Sequence, residues 1–455
     1  RASADTLRFV PARSLRLLFV ALFVLSGCTI TLPFQSNSTA SSTPEAAAGS
    51  YATVSQALHV LVEHQVNRPS SKALLDGAVS DVSAYLQAQG LTVLSDTPTF
   101  SGNTDADLRA FSAYLDRVQQ VDPSAPKSEL ERASVTGMAK ATHECHTYYL
   151  DPERAKTFNQ PTNQRYSGIG ARIQQLQPNT AALPEVTQVF PDSPAQKAGM
   201  QMGDRIKSVD GKDVSGLTAE EVANLIKGPE GTPVQLVIVH GAADRAVTIT
   251  RASLIAPDVV EQVVDSQYGY IGLQSITTNI PGDLTAALSR LDREGAVGWV
   301  LDLRGDPGGL LDPAEQVAST FIRSGNILYE IDRDGQAVPK PVNPKSFYPR
   351  QKPLAVLVNQ YTASGAEIIA SAIQEHGAGR IFGESTAGCI SIALPRELPD
   401  GGLLLYTYAK IQSAVHREDL SGKGVTPDEI VMRPQDATTD TVLDAAVAWL
   451  RTQHN

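Results

Sequence analysis

The 455-residue chain is poor in cysteine, with three, and poor in positive charge: 38 Lys and Arg against 49 Asp and Glu leave a net charge of −11. Beyond the N-terminus there is no run of basic residues, and an acidic chain without a basic patch argues against nucleic acid as a partner. Familiar zinc spacing is also lacking. In "THECHTYYLDPE" (142–153) the histidines His143 and His146 stand three apart, but Glu144 and Cys145 between them complete no metal pattern, so no metal and no cofactor is expected. Hydrophobic residues make up 42% and charged residues 19%, which is ordinary for a globular protein of two to four domains.

The N-terminus departs from this composition. Arg1, Arg8, Arg13 and Arg16 precede "LRLLFVALFVLSGC" (15–28), whose apolar run is too short to span a bilayer comfortably and reads as a secretory signal. Its end, "LSGC" (25–28), resembles a bacterial lipobox, which makes Cys28 the expected lipidated residue after a signal over 1–28. Residues 29–50, rich in Ser, Thr, Pro and Ala, read as a disordered tether. The expected location is extracytoplasmic, on a bacterial membrane through the lipid.

The mature chain divides by pattern. Residues 51–160 carry apolar side chains at three- and four-residue spacing and read as helical throughout. Residues 165–255 alternate short β-type runs with Gly, Asp and Pro turns, with short helices at "SPAQKAG" and "TAEEVANLIK". From 256 to 435 strands alternate with helices, the signature of a strand core with crossover helices, and 436–455 reads as a final amphipathic helix.

Two readings compete for Ser364, in "VLVNQYTASGAEIIASAIQEHG" (356–377). The strand 352–359 is followed by a helical pattern, and Ser364 to Glu367 fits a capping box in which Glu367 reaches back to the cap's amide. A serine on a strand-to-helix turn is also where nucleophiles are exposed, with a helix N-terminus ready to hold an oxyanion.

Two resemblances bear on that choice. Residues 165–255 resemble a PDZ domain: "SPAQKAGMQMGDRIKSVDGKDV" matches its helix-turn-strand core, and "SGIGARI" its carboxylate-binding loop, here Ser167, Gly168, Ile169 and Gly170. The amides of Ile169 and Gly170 would receive a peptide's terminal carboxylate while the next strand pairs with the peptide. The order helical segment, PDZ, then "VLDLRGDPGGLLDPAEQVASTFI", the Ser364 segment and "GKGVTPDEIV" (422–431) resembles the carboxyl-terminal processing peptidases, the S41 group of serine peptidases with its tricorn-like members. The resemblance implies a multi-domain α/β protein with a ClpP/crotonase-like core, protein or peptide C-termini as partners, and no cofactor. It further implies that Ser364 attacks the carbonyl, with an oxyanion hole from the amides of Gly365 and of Gly308 or Gly309.

The chain departs from that family where the base should stand. The processing peptidases activate serine with a lysine 25 residues downstream, and here 389 − 364 = 25 falls on Cys389; the supporting glutamine four residues later is Ala393. The tricorn-like branch instead implies His146 as general base, while its acidic partner falls near Glu418, Asp419 and Ser421, and Lys423 is an outside candidate for the base. A binding-only relative, capturing C-termini without cleavage, is the alternative to an active enzyme. If His146 and Cys389 both approach Ser364, Cys145 and Cys389 either form a bridge or remain separate thiols.

Overall fold

The computed structural model describes residues 51–158, 165–174, 183–241, 243–255, 258–432 and 439–453. The expected signal segment, Cys28 and the tether lie outside these residues.

Four amphipathic helices open the described chain: α1 (Ala52–His64), α2 (Ser71–Ala88), α3 (Thr104–Val121) and α4 (Lys127–Lys140). In α1 the residues Val54, Ala57, Leu58 and Leu61 fall on one stripe and are wholly buried, each such Leu or Val contributing about 1.5–3 kcal/mol. Ser70 and Asn103 cap α2 and α3 by accepting hydrogen bonds from the Ala73 and Ala106 amides. The expectation of helix through to 160 fails after Lys140. The chain turns over 141–147, and Tyr148–Leu150 forms a strand, β1, antiparallel to Leu403–Leu405, before the short helix α5 (Pro152–Phe158). The reason is tertiary: the Thr147 hydroxyl, buried, accepts from Gln65 Nε2 and the Thr407 amide and donates to Thr407 Oγ1, which holds the segment extended.

The second domain is built from β2 (Arg165–Gly168), β3 (Ala171–Gln174), β4 (Glu185–Val189), α6 (Pro194–Lys197), β5 (Arg205–Val209), β6 (Lys212–Asp213), α7 (Ala219–Ile226), β7 (Pro233–His240), β8 (Ala243–Thr250) and β9 (Ala252–Ile255). Its sheet runs β3-β4-β5-β7-β8, with β6 beside β5, while β2 and β9 pair with each other as a separate ribbon. Among the described residues β3 pairs only with β4, so it is an edge strand, and α7 packs across it. Arg172 of β3 donates to the carbonyls of Gln274 (2.7 Å) and Gly305 (3.3 Å), tying this edge to the core.

The core contains β10 (Val259–Val264), β11 (Tyr268–Leu273), α8 (Ile280–Arg293), β12 (Gly298–Asp302), α9 (Leu311–Phe321), β13 (Asn326–Ile331), β14 (Ala337–Pro341), β15 (Leu354–Val358), α10 (Gly365–Glu375), β16 (Arg380–Gly383), β17 (Ser391–Glu397), β18 (Leu403–Ser413), β19 (Glu429–Ile430) and α11 (Thr441–Thr452). One sheet has the order β10-β11-β12-β15-β16-β19, parallel except for β10. Its central strands are continuous apolar runs because both faces are covered. Along β15, Leu354, Val356 and Val358 pack with α8, α9 and α10, whereas Ala355 and Leu357 face the cluster that includes Val442, Ala446 and Leu450 of α11. A second sheet, β1-β18-β13-β14 with β17 beside β18, carries β1 of the helical region, whose core continues onto Leu398, Leu404 and Tyr406. The loops following β12 and β15 thus sit at the carboxyl ends of adjacent parallel strands, where open α/β sheets place their sites.

Candidate active site

Ser364 stands between the end of β15 and the start of α10 with φ +53° and ψ −119°, a conformation a non-glycine residue holds only under constraint. The constraint is visible. The Ser364 amide donates to Glu367 Oε2 (2.9 Å) and to the Cys389 carbonyl (3.1 Å). Glu367, fully buried, also accepts from the Thr386 hydroxyl (2.5 Å) and the amides of Gly388 (2.7 Å) and Cys389 (2.9 Å). Burial raises its carboxyl above the usual range, and these four donors oppose the rise. The glutamate expected only as a helix cap therefore also clasps the segment 386–389 against the serine turn.

The turn's oxygen faces a histidine. Ser364 Oγ lies 3.1 Å from His146 Nε2, and the opposite ring nitrogen, Nδ1, lies 2.9 Å from Ser391 Oγ on β17. Burial lowers the His146 pKa below its ordinary value. The ring is bracketed by sulfur: Cys145 and Cys389 form a disulfide, Cα atoms 6.0 Å apart, with Cys389 Sγ 3.6 Å from Nδ1. A sulfur held in that bond has no thiolate form to take up a proton, so Cys389 cannot be the base. His143 is exposed and outside this arrangement, and the exposed Lys423 makes no hydrogen bond to Ser364. Among the described residues neither Glu418, Asp419 nor Ser421 has a hydrogen bond or ion pair with His146; the Ser421 hydroxyl donates to the Ile390 carbonyl. Cys145, His146 and Cys389 also form the one trio of metal-ligating side chains among the described residues, but its two sulfurs are bonded to each other.

The loop after β12 completes the site. The Ala363 amide donates to the Asp306 carbonyl (3.0 Å), joining this loop to the serine turn. The Gly308 amide donates to Asp306 Oδ1 (2.8 Å) and so is taken, which removes it from the expected oxyanion donors. Gly309 and Gly365 have amides with no acceptor among the described residues, and a Cβ on Gly365 would stand 3.3 Å from the Gly309 nitrogen, so the two lie side by side next to Ser364. Gly309 has φ +152°, and a Cβ there would meet the Ile276 carbonyl oxygen at 2.2 Å, so only glycine fits. Asp306 is fully buried, its Oδ2 has no hydrogen-bond partner among the described residues, and desolvation lifts its pKa to about 7.

The expected peptide loop, Ser167 to Gly170, lies in the second domain rather than at Ser364. The Ile169 carbonyl accepts from the Ala195 amide (2.8 Å) and the Gly170 carbonyl from the Phe190 amide (2.9 Å), which fixes the loop on α6 and the end of β4. Ser391 was not singled out in the sequence. It lies two residues beyond Cys389, and only the strand that starts there turns its side chain to the ring.

Comparison with known proteins agrees with this architecture. Residues 267–431 match the model of peptidase family S41, and residues 185–239 match a PDZ domain. A Synechocystis carboxyl-terminal-processing protease is 34% identical over 327 residues, covering 70% of this chain and 75% of that one. A CtpA-like serine protease of Staphylococcus haemolyticus is 31% identical over 309 residues, and the alignment spans 68% of this chain but only 61% of that protein. The solved photosystem II D1 C-terminal processing protease shares the fold at TM-score 0.56 and 23% identity, covering 88% of this chain and 97% of that one. The chain belongs to peptidase family S41, among the carboxyl-terminal processing proteases that carry a PDZ domain.

Proposed function

We propose that the protein is an exported, lipid-anchored serine endopeptidase that takes substrate C-termini on its PDZ domain and cleaves through an acyl-enzyme on Ser364. The observation that carries this reading is the 3.1 Å approach of His146 Nε2 to Ser364 Oγ, in a site where the family's lysine is absent. His146 takes the Ser364 proton on Nε2 as Oγ bonds to the scissile carbonyl carbon. The carbonyl oxygen becomes an anion held by the amides of Gly309 and Gly365. The tetrahedral species collapses, the C–N bond breaks, and Nε2 returns its proton to the leaving amine. Water then attacks the ester carbon, giving its proton to Nε2, and Ser364 recovers it as the new C-terminus departs. Burial of His146 lowers its pKa and so favours the neutral imidazole, the form needed for the first step.

Labelling by a fluorophosphonate probe tests this directly. The wild-type protein is expected to label and to cut a peptide with a free C-terminus, and Ser364→Ala to do neither. An unlabelled wild type that still binds C-terminal peptides would establish the binding-only alternative. Labelling without peptide cleavage would point to an esterase on the same fold. The anchor is tested separately: Cys28→Ser is expected to move the protein from the membrane fraction to the soluble fraction.

A further inference from the structure

We infer that Ser391 is the positioning residue for His146, holding Nδ1–H with an uncharged hydroxyl where serine peptidase triads have a carboxylate. The inference rests on the assignment of His146 as base. Ser391 Oγ is the oxygen facing Nδ1, at 2.9 Å, and with Ser364 Oγ at 3.1 Å from Nε2 it spans the ring from one serine to the other. Ser391 is 8% exposed, and its backbone is fixed by the β17–β18 ladder opposite Lys410. The disulfide flanks the ring on the same side but cannot titrate or accept as an oxygen does.

The charged groups of the surrounding elements are occupied elsewhere. Glu144, two residues before His146, accepts from Asn67 and interacts with Lys410 of β18 and with Asp419. Glu367 spends its carboxylate on four other donors. None of these forms a hydrogen bond or ion pair with His146.

A hydroxyl and a carboxylate do different work at Nδ1. A carboxylate only accepts, so it fixes the proton on Nδ1 and stabilises the imidazolium that forms when Nε2 takes the serine proton. A hydroxyl accepts from Nδ1–H equally well but can also donate to a bare Nδ1, and it adds no negative charge. With the Ser364 hydroxyl donating to Nε2, the proton sits on Nδ1 and Ser391 accepts it, so the pair of serines holds the ring in the productive tautomer without raising the basicity of His146. Without a carboxylate at Nδ1, the neutral imidazole is favoured over the imidazolium.

Ser391→Ala is expected to lower kcat by about 100-fold, as misplacement of a reacting group does, with KM within about twofold of wild type. Ser391→Thr, which keeps the hydroxyl, should restore most of it. Ser391→Asp should raise the apparent pKa of the kcat/KM profile by about one unit or more, because a negative charge beside the ring favours imidazolium. Independently of turnover, 15N NMR of His146 in the wild type should show Nδ1 protonated and Nε2 bare above the His146 pKa, and in Ser391→Ala a mixed tautomer population. That readout survives even if the protein cleaves nothing, so failure of the peptidase assignment and failure of the Ser391 assignment are distinguishable. Unchanged tautomer shifts in Ser391→Ala would overturn the role, as would unaltered kcat.

Discussion

Cys389 Sγ is bonded to Cys145 Sγ and lies 3.6 Å from Nδ1 of His146, so the residue in the place of the family's lysine anchors the histidine we propose as base. Cys145 adjoins His146 in a turn whose other side is tied to β18 by Thr147, and the bridge closes a sequence separation of 244 residues. Replacing either cysteine should thus act twice. Loss of the crosslink over so long a loop is expected to lower stability by about 2–5 kcal/mol. Freeing the turn should let the His146 ring leave Ser364, reducing kcat more than KM. Because Cys145 is exposed, a small dithiol should reproduce both effects reversibly. Activity and thermal midpoint measured with and without reductant, in wild type and Cys145→Ser, check this. Full activity after confirmed reduction would show that Thr147 alone seats the base.

The pH profile should report a desolvated imidazole. His146 has a lowered pKa because burial disfavours its charged form, so as the proposed base it would act at lower pH than an exposed histidine. The acid limb of kcat/KM is expected to fall with a midpoint below the ordinary histidine value of about 6.5, and to vanish with the activity in His146→Ala. His143→Ala should leave the profile in place. A limb near the lysine range would assign the base to another group.

Asp306 links the proposed oxyanion loop to the same pH axis. Its Oδ1 holds the Gly308 amide and thereby sets the direction of Gly309. Asp306→Asn keeps an acceptor there and should retain most activity, whereas Asp306→Ala should cost about 10- to 100-fold in kcat by loosening one oxyanion donor. The stability effect has a definite sign. The folded pKa, about 7, lies above the unfolded value, so the folded state holds the extra proton. This group's contribution is full at low pH and is lost as pH rises to about 7 and beyond. Asp306→Asn should therefore flatten the decline of stability between mildly acidic and neutral pH, measured by denaturant titration.

How much of this could be read in the chain follows from the range of each interaction. The Ser364 turn and Glu367 are local, and a strand, a serine and a helix start in sequence are enough to suggest them. Continuous apolar runs such as 354–358 announced buried strands for the same reason. His146 was legible only through its place before the PDZ domain, since the bond to Ser364 joins residues 218 apart. Ser391 left no signal at all: a lone serine opening a strand acquires its role only when a ring 245 residues away is folded onto it. The misread helix at Tyr148–Leu150 has the same origin, because that strand exists only by pairing with β18. Gly308 and Gly309 share one motif, and only the fold shows that Asp306 occupies the first amide and leaves the second.

The PDZ domain makes a prediction separable from catalysis. The loop proposed to receive the carboxylate turns through Gly170 at φ +82°, where a Cβ would meet Ser193 Cβ at 2.3 Å, so Gly170→Val would have to displace α6 or open the loop. Peptides with a free apolar C-terminus should bind the wild-type protein more tightly than their amidated forms, since amidation removes a charge-assisted contact worth about 1.5–3 kcal/mol, or about 10- to 100-fold in Kd. Gly170→Val should bring the two affinities together while leaving fluorophosphonate labelling of Ser364 intact. Fluorescence polarisation on Ser364→Ala protein, which cannot consume the peptide, gives the comparison without turnover. Equal affinity for the free and amidated peptides in that background would mean that the loop does not receive the carboxylate. The edge of β3 would then hold the peptide by its backbone alone.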